Sequence, residues 1–561
     1  MTAPRTPTPI DGIANDYFAA TLEASPMLMT QLGVTRRQDE YDDLSTRGLE
    51  EQAGRDRAAL RRLDGAEPVD DVDRVTLAAM RERLGLAVQL HDAGYDRLSL
   101  NGIASGLHAI REVYDLMPTQ TAADWEVITR RLRAVPAAID GWFATQEAAI
   151  RDGLLPASRQ VDLLAEQCDG WTGPGGFFAE LPARAASGPA LLSGPALSDL
   201  SQAVHLAADA YRASAARLRA TIRPSATEQD AVGRERYRLY SQEFLGSRVD
   251  VDETYAWGLA EVARLEAEEQ QLASRIRPGA GVAEVKAALD ADPRYQLHGV
   301  DALQQWMQQR ADEAIAALNG RHFDIPEPAR RIECLIAPTH DGGIYYTDPS
   351  DDWVRPGRMW WSVPAGEDTF GTWRELTTVY HEGVPGHHLQ ISQALWRADQ
   401  LNSWRRQGCW VSGHGEGWAL YAEQLMAELG FQDDPGNRLG QLDSEAVRAV
   451  RVVIDMGLHN QLPAPAEVGG GEWTFDKAWR YFNAHVSSSP GVARFEVLRY
   501  FGWPGQAPAY KIGQRRWLDL REQVRKAQGS AFDLKEFHRT ALDVGSVGLD
   551  VLSDAVQASL G

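Results

Sequence analysis

A chain of 561 residues is long enough to bury a large core, arranged as two to four units or as one large helical body. Its 57 Lys and Arg against 79 Asp and Glu leave a net charge of −22, which argues against nucleic acid or an anionic membrane surface as partner. Three widely spaced cysteines, Cys168, Cys334 and Cys409, offer neither a disulfide framework nor a thiolate metal site and point to a reducing compartment.

The leader MTAPRTPTPIDGIANDYFAATLEASP lacks the apolar run of roughly 7–15 residues that a secretory signal needs, so a cytoplasmic protein is expected. From about Asp11 to Ser274 the pattern is mostly amphipathic helix, as in GLEEQAGRDRAALRRLD, with loops where Gly, Ser and Pro cluster at Cys168–Gly176 and Ala186–Gly194. Helix resumes from about Ala280 to Asp324. Ile325-Pro326-Glu327-Pro328 then punctuates the chain, and short β-branched or aromatic runs follow at Arg331–Ala337, Gly343–Thr347 and Met359–Val363. These read as strands of a small sheet. Ile344–Thr347 is the candidate edge strand, with Tyr345 and Tyr346 the residues that would meet an extended substrate.

The stretch Gly371–Leu395, GTWRELTTVYHEGVPGHHLQISQAL, carries the densest chemistry. Thr372 and Glu375 have the spacing of a capping box, and Leu376, Val379 and Tyr380 form an apolar stripe leading into His381-Glu382. In the HExxH arrangement two histidines four apart share a helix face and bind zinc, while the Glu activates water. Here Pro385 occupies the place of the second histidine, and the next candidates are His387 and His388. An undistorted helix turns through about 600° over six residues and rises roughly 10.5 Å over seven, too far for two ligands of one ion. Pro385-Gly386 supplies a kink or bulge that swings a histidine back. The shorter bulge favours His387, with His388 the alternative.

A catalytic zinc takes three protein ligands plus water, so one more is required. Downstream, GHGEGWALYAEQL spans Gly413–Leu425 and places Glu416 and Glu423 seven apart on nearly one helix face. Glu416 is the candidate third ligand, and Glu423 either a partner that orients an imidazole or an ordinary solvated acid. Farther on, Arg448 and His459 fall at helical spacing and face one cavity or an internal network. Tyr510 and Lys511 are donors of the kind that stabilise an oxyanion or hold a substrate carboxylate, and His538 is a further donor candidate.

The segments HEGVPGHHLQ, GEGWALYAE, IDMGLH, WPGQAPAYKIG and FHRTALDVGSVGLDVL together resemble successive signatures of the bacterial domain-of-unknown-function family 885, across nearly the whole chain. The resemblance implies a helical zinc metallopeptidase-like body with a deep cleft. It also implies His381 with His387 or His388 and Glu416 as ligands, and Glu382 as base. The chain departs from the family pattern at Pro508-Ala509, where a Leu-Ser pair is expected.

The expected fold is therefore mainly α, with a small β-sheet beside the zinc helix. A helical lobe covers residues 1–325 and a metal-bearing half residues 326–561, within one continuous fold. The expected activity is Zn2+-dependent hydrolysis of peptide or amide bonds in short peptides, with Tyr510, His459 or His538 stabilising the oxyanion. A zinc-dependent tailoring enzyme acting on a modified amino acid or natural product, and a catalytically silent peptide-binding protein, are the alternatives.

Overall fold

The computed structural model describes residues 5–337, 343–364 and 366–560, and helices dominate it. Several begin where short polar side chains satisfy the free amides of a first turn. Thr8 and Asp11 form a reciprocal capping box on Pro9–Ala24, and Thr121 and Asp124 do the same for Ala122–Arg151. Asp434 accepts from the amides of Gly436 and Asn437 and so opens the long helix Pro435–His459.

The apolar faces of these helices meet in two principal cores. One lies within residues 27–222 and joins the helices Gly106–Leu116, Ala122–Arg151, Ser158–Thr172, Phe177–Ser187 and Gly194–Arg217 around Trp125 and Trp142. The other gathers side chains from Ile10 to Val556, including Trp373, Trp418 and Trp517. This larger core runs across the position between residues 325 and 326, because the helix Val300–Leu318 packs on both the strand Ile332–Ile336 and the helix Thr372–Glu382.

The strands are β1 (Gln296–His298), β2 (Ile332–Ile336), β3 (Ile344–Thr347), β4 (Gly357–Trp361) and β5 (Thr369–Gly371). The three-stranded sheet has the order β2-β4-β3, with β2 parallel and β3 antiparallel to β4, so β3 lies at an edge. Along β4, Gly357, Met359 and Trp361 turn inward in the two-residue alternation of a half-buried strand. A separate antiparallel pair joins β1 to β5. At three residues each, these strands are too short to carry a readable period.

The capping box expected from Thr372 and Glu375 does not form. Gly371 is the N-cap, and Thr372 Oγ1 instead donates to the carbonyl of Tyr295 at 3.1 Å. Glu375 is pushed up to about 7 by burial.

Two close backbone approaches assemble the helices of the candidate site. At Gly440, a Cβ would come within 2.1 Å of the Trp373 carbonyl oxygen, so the absence of a side chain lets Pro435–His459 lie against Thr372–Glu382. Likewise a Cβ on Gly513 would meet the Gly413 carbonyl oxygen at 2.2 Å. The helix Ala509–Gln528 therefore crosses Ser412–Glu428 nearly backbone to backbone, which carries Tyr510 toward Glu416. Among the described residues no helix is long and apolar enough to cross a membrane.

Candidate metal centre

The chain does not bulge within one helix at Pro-Gly, as the sequence suggests; it ends one helix and starts another. Thr372–Glu382 stops at Gly383, the Val384–Pro385 peptide is cis, and a new helix opens at His387 and runs to Trp396. Gly383 N–H donates to Val379 at 2.9 Å and Gly386 N–H to Tyr380 at 3.1 Å, so the connection folds back on the helix it has left. At Gly386 a Cβ would lie 1.9 Å from the His381 carbonyl oxygen. Only glycine permits that approach. Trp418 Nε1–H, donating to the Pro385 carbonyl at 2.8 Å, fixes the turn from the neighbouring helix.

This reversal brings the rings of His381 and His387 to a centroid separation of 4.8 Å, nearly perpendicular. Each Nε2 lies 3.4 Å from Glu416 Oε2, and one donor atom from each of the three side chains falls within 4.8 Å of the others. Glu416 Oε2 is buried and makes no hydrogen bond of normal geometry, nor does His387 Nδ1. Three electron-pair donors thus converge on a common point instead of saturating one another, and two imidazoles with one carboxylate are a donor set suited to zinc. The residues present fit a metal ion.

Supports extend outward from the cluster. His381 Nδ1 lies 2.8 Å from Glu423 Oε1, whose second oxygen accepts from Thr377 Oγ1. Ser444 Oγ reaches the same oxygen at 3.5 Å and itself accepts from Arg448. With Glu423 engaged at Nδ1, the His381 ring is oriented so that Nε2 faces Glu416.

His388 plays a different part. Its Nδ1 faces the Tyr346 hydroxyl at 2.8 Å and its Nε2 the Ala329 carbonyl at 2.8 Å, so both ring nitrogens are engaged. Burial lowers it to about 4, leaving a neutral ring that ties β3 to the His387–Trp396 helix. Tyr346, expected to meet substrate, is thereby the partner of His388.

The electrostatics follow from enclosure. Burial works against the charged form of His381, yet the adjoining carboxylates of Glu416 and Glu423 outweigh it and raise the imidazole to about 10. Burial opposes ionisation of Glu416 too, but the two imidazoles hold it well below the ordinary carboxylate range. Burial pushes Glu382 upward, with His381 and His387 partly opposing the shift, and Arg448 lies within its electrostatic reach. Tyr510 is raised by burial and by the charge of Glu416, while Arg451 stands 4.8 Å and Arg499 5.7 Å from its ring.

Other residues singled out in the sequence go elsewhere. His459 is buried with Nε2 on the Tyr500 carbonyl at 2.7 Å and its ring stacked on Tyr237, so it belongs to the core. His538 Nε2 faces the Tyr421 hydroxyl at 2.7 Å and its ring stacks on Phe323. Lys511 is enclosed by Glu261, Glu445 and Gln514 at 3.0, 3.2 and 2.7 Å. All three face partners other than the cluster. Tyr345 stacks on Trp360 with ring centroids 6.3 Å apart.

A family model described as "Bacterial protein of unknown function (DUF885)" matches residues 26–556. The chain belongs to this family. No curated protein matches it. The DUF885 chain is similar to a crystallised protein of Colwellia psychrerythraea, described as a candidate lipoprotein, with a TM-score of 0.83 at 23% identity over 98% of each chain. It is also similar to a candidate lipoprotein of unknown function from Shewanella oneidensis, with a TM-score of 0.73 at 14% identity over 98% of this chain and 100% of that one. Both likenesses establish the fold. A carboxypeptidase of Pyrococcus furiosus superposes with a TM-score of only 0.39, which bears on neither fold nor function.

Within this DUF885 fold, Thr377 and Ser444 are contributors that sequence reasoning missed. Thr377 lies four residues before His381, one helical turn away, and that spacing was the available signal. Ser444 has no such mark, because its partner Glu423 comes from another helix.

Proposed function

We propose that the chain is a zinc-dependent hydrolase of peptide or amide bonds in small peptides. The observation that carries this reading is the convergence of His381 Nε2, His387 Nε2 and Glu416 Oε2 beside the buried carboxyl of Glu382. His381, His387 and Glu416 would hold the ion, and Glu423 would keep His381 turned toward it. Zinc bound there supplies Lewis-acid polarisation of a carbonyl and acidifies water toward a pKa of about 7.

The chain's own groups supply the proton transfers. Glu382, raised by burial, takes the proton of the attacking water at a carboxylate oxygen and returns it to the leaving amine. Tyr510, held among Arg451 and Arg499, donates its hydroxyl proton as a hydrogen bond to the developing oxyanion. Arg448, near Glu382 and bonded to Ser444, favours the ionised form of the base before the proton moves.

The test is turnover of a mixed short-peptide library by wild type and by Glu382→Gln. Cleavage by wild type, lost in the variant with metal content unchanged, supports the reading. Intact peptides after prolonged incubation of the zinc-loaded wild type would overturn it.

A further inference from the structure

Between the turn at Trp404–Gly408 and the helix Ser412–Glu428, the residues Cys409, Trp410 and Val411 run extended. Alternation along an extended chain sends neighbours to opposite sides. Cys409 and Val411 are 6% and 1% exposed, whereas Trp410 points away from the core with 49% of its surface open.

The ring is nonetheless held in place. A Cβ on Gly415 would come within 2.3 Å of Trp410 Cη2, so the indole rests on bare backbone one residue before Glu416. On its other flank the His387 ring lies 6.2 Å away, centroid to centroid, at a tilt of 52°. Trp410 therefore stands between the ring of His387, one of the three residues that form the cluster, and the Gly415 backbone that leads into Glu416, with about half its surface open. The proton transfers described above make no use of it.

We propose that Trp410 floors the subsite receiving the side chain next to the scissile bond, and that it selects peptides with an aromatic or large aliphatic residue there. The proposal rests on the hydrolase reading of the cluster. Aromatic rings pair at centroid separations of about 4.5–7 Å, and the Trp410 ring stands 6.2 Å from that of His387, so a side chain beside a carbonyl held at the cluster comes within reach of the indole. Apolar side chains gain by covering the exposed indole.

The experiment is calorimetric titration of zinc-incubated Glu382→Gln protein, in which turnover is suppressed, with the dipeptides Phe-Ala, Ala-Phe and Ala-Ala. The same titrations are run on Trp410→Ala and Trp410→Phe in that background. At least one phenylalanine dipeptide binds about tenfold tighter than Ala-Ala when Trp410 is present. That ratio falls toward one in Trp410→Ala and recovers in Trp410→Phe, with Ala-Ala binding and metal content unchanged.

Equal binding of all three dipeptides with Trp410 present, or a ratio that survives Trp410→Ala, overturns the proposal. Trp410→Gln, which covers Gly415 with a polar chain, serves the same comparison if the alanine variant fails to fold. Wild-type protein given the same dipeptides separates the two claims. Discriminating binding without cleavage contradicts hydrolysis and leaves the subsite standing; cleavage without discrimination contradicts the subsite alone.

Discussion

His381 Nδ1 lies 2.8 Å from Glu423 Oε1, although the two residues stand on different helices, and this turns His381 Nε2 toward Glu416 and His387. Glu423 touches no other member of the cluster, so its influence passes through the imidazole. Replacing Glu423 with Ala is expected to weaken zinc affinity by about 10–100-fold. Competition against a chromophoric chelator measures this directly. Affinity equal to wild type would show that His381 needs no such support.

His387 and His388 are adjacent in sequence and opposite in role. His387→Ala should abolish stoichiometric metal binding. His388→Ala should leave it intact while costing about 1–3 kcal/mol of stability, because the Tyr346 hydroxyl and the Ala329 carbonyl lose their partner. Elemental analysis and denaturant unfolding of the two variants, side by side, separate these effects.

Gly386 holds the reversal together. A methyl group there would meet the carbonyl oxygens of His381 at 1.9 Å and Tyr380 at 2.5 Å. Gly386→Ala is expected to lose roughly 1–3 kcal/mol and much of its metal affinity, since His387 is displaced with the turn. A variant with normal thermal stability and a full complement of metal would contradict this account of the connection.

Acid should destabilise the fold well above the carboxylate range. Burial lowers His108 and His459 to about 4 and His538 to about 3, so all three are neutral in the native state near pH 5. The unfolded chain, with histidines near 6.5, binds more protons between those limits. The stability these groups contribute is present above pH 6.5 and lost as pH falls toward 4. At full effect the slope reaches about 4 kcal/mol per pH unit. Urea midpoints at pH 7.5, 6 and 5 test the trend, and His538→Gln should make the acid limb shallower. A flat profile in wild type would contradict neutral burial.

Much of the cluster was legible because its chemistry is spelled in short motifs. His381-Glu382, His387 after Pro-Gly, and Glu416 with Glu423 all stand within 43 residues of one another, and the structure brings them together. The strands around 331–361 showed in their β-branched and aromatic runs. What could not be read depended on distant partners. Thr372 fails to cap because the Tyr295 carbonyl competes for its hydroxyl. His459 and His538 looked like free donors until Tyr500 and Tyr421 were placed against them. The shorter bulge favours His387 over His388, but what occupies His388 is the Ala329 carbonyl, far away in the chain, which periodicity has no means of revealing.

The central claim is that His381, His387 and Glu416 form one metal site, and metal stoichiometry tests it most directly. Wild type, dialysed after exposure to zinc, should carry roughly one ion per chain, and His381→Ala, His387→Ala and Glu416→Ala should each carry none while His388→Ala keeps it. Wild type that takes up no zinc, or a Glu416→Ala variant that binds it as tightly as wild type, would contradict the account.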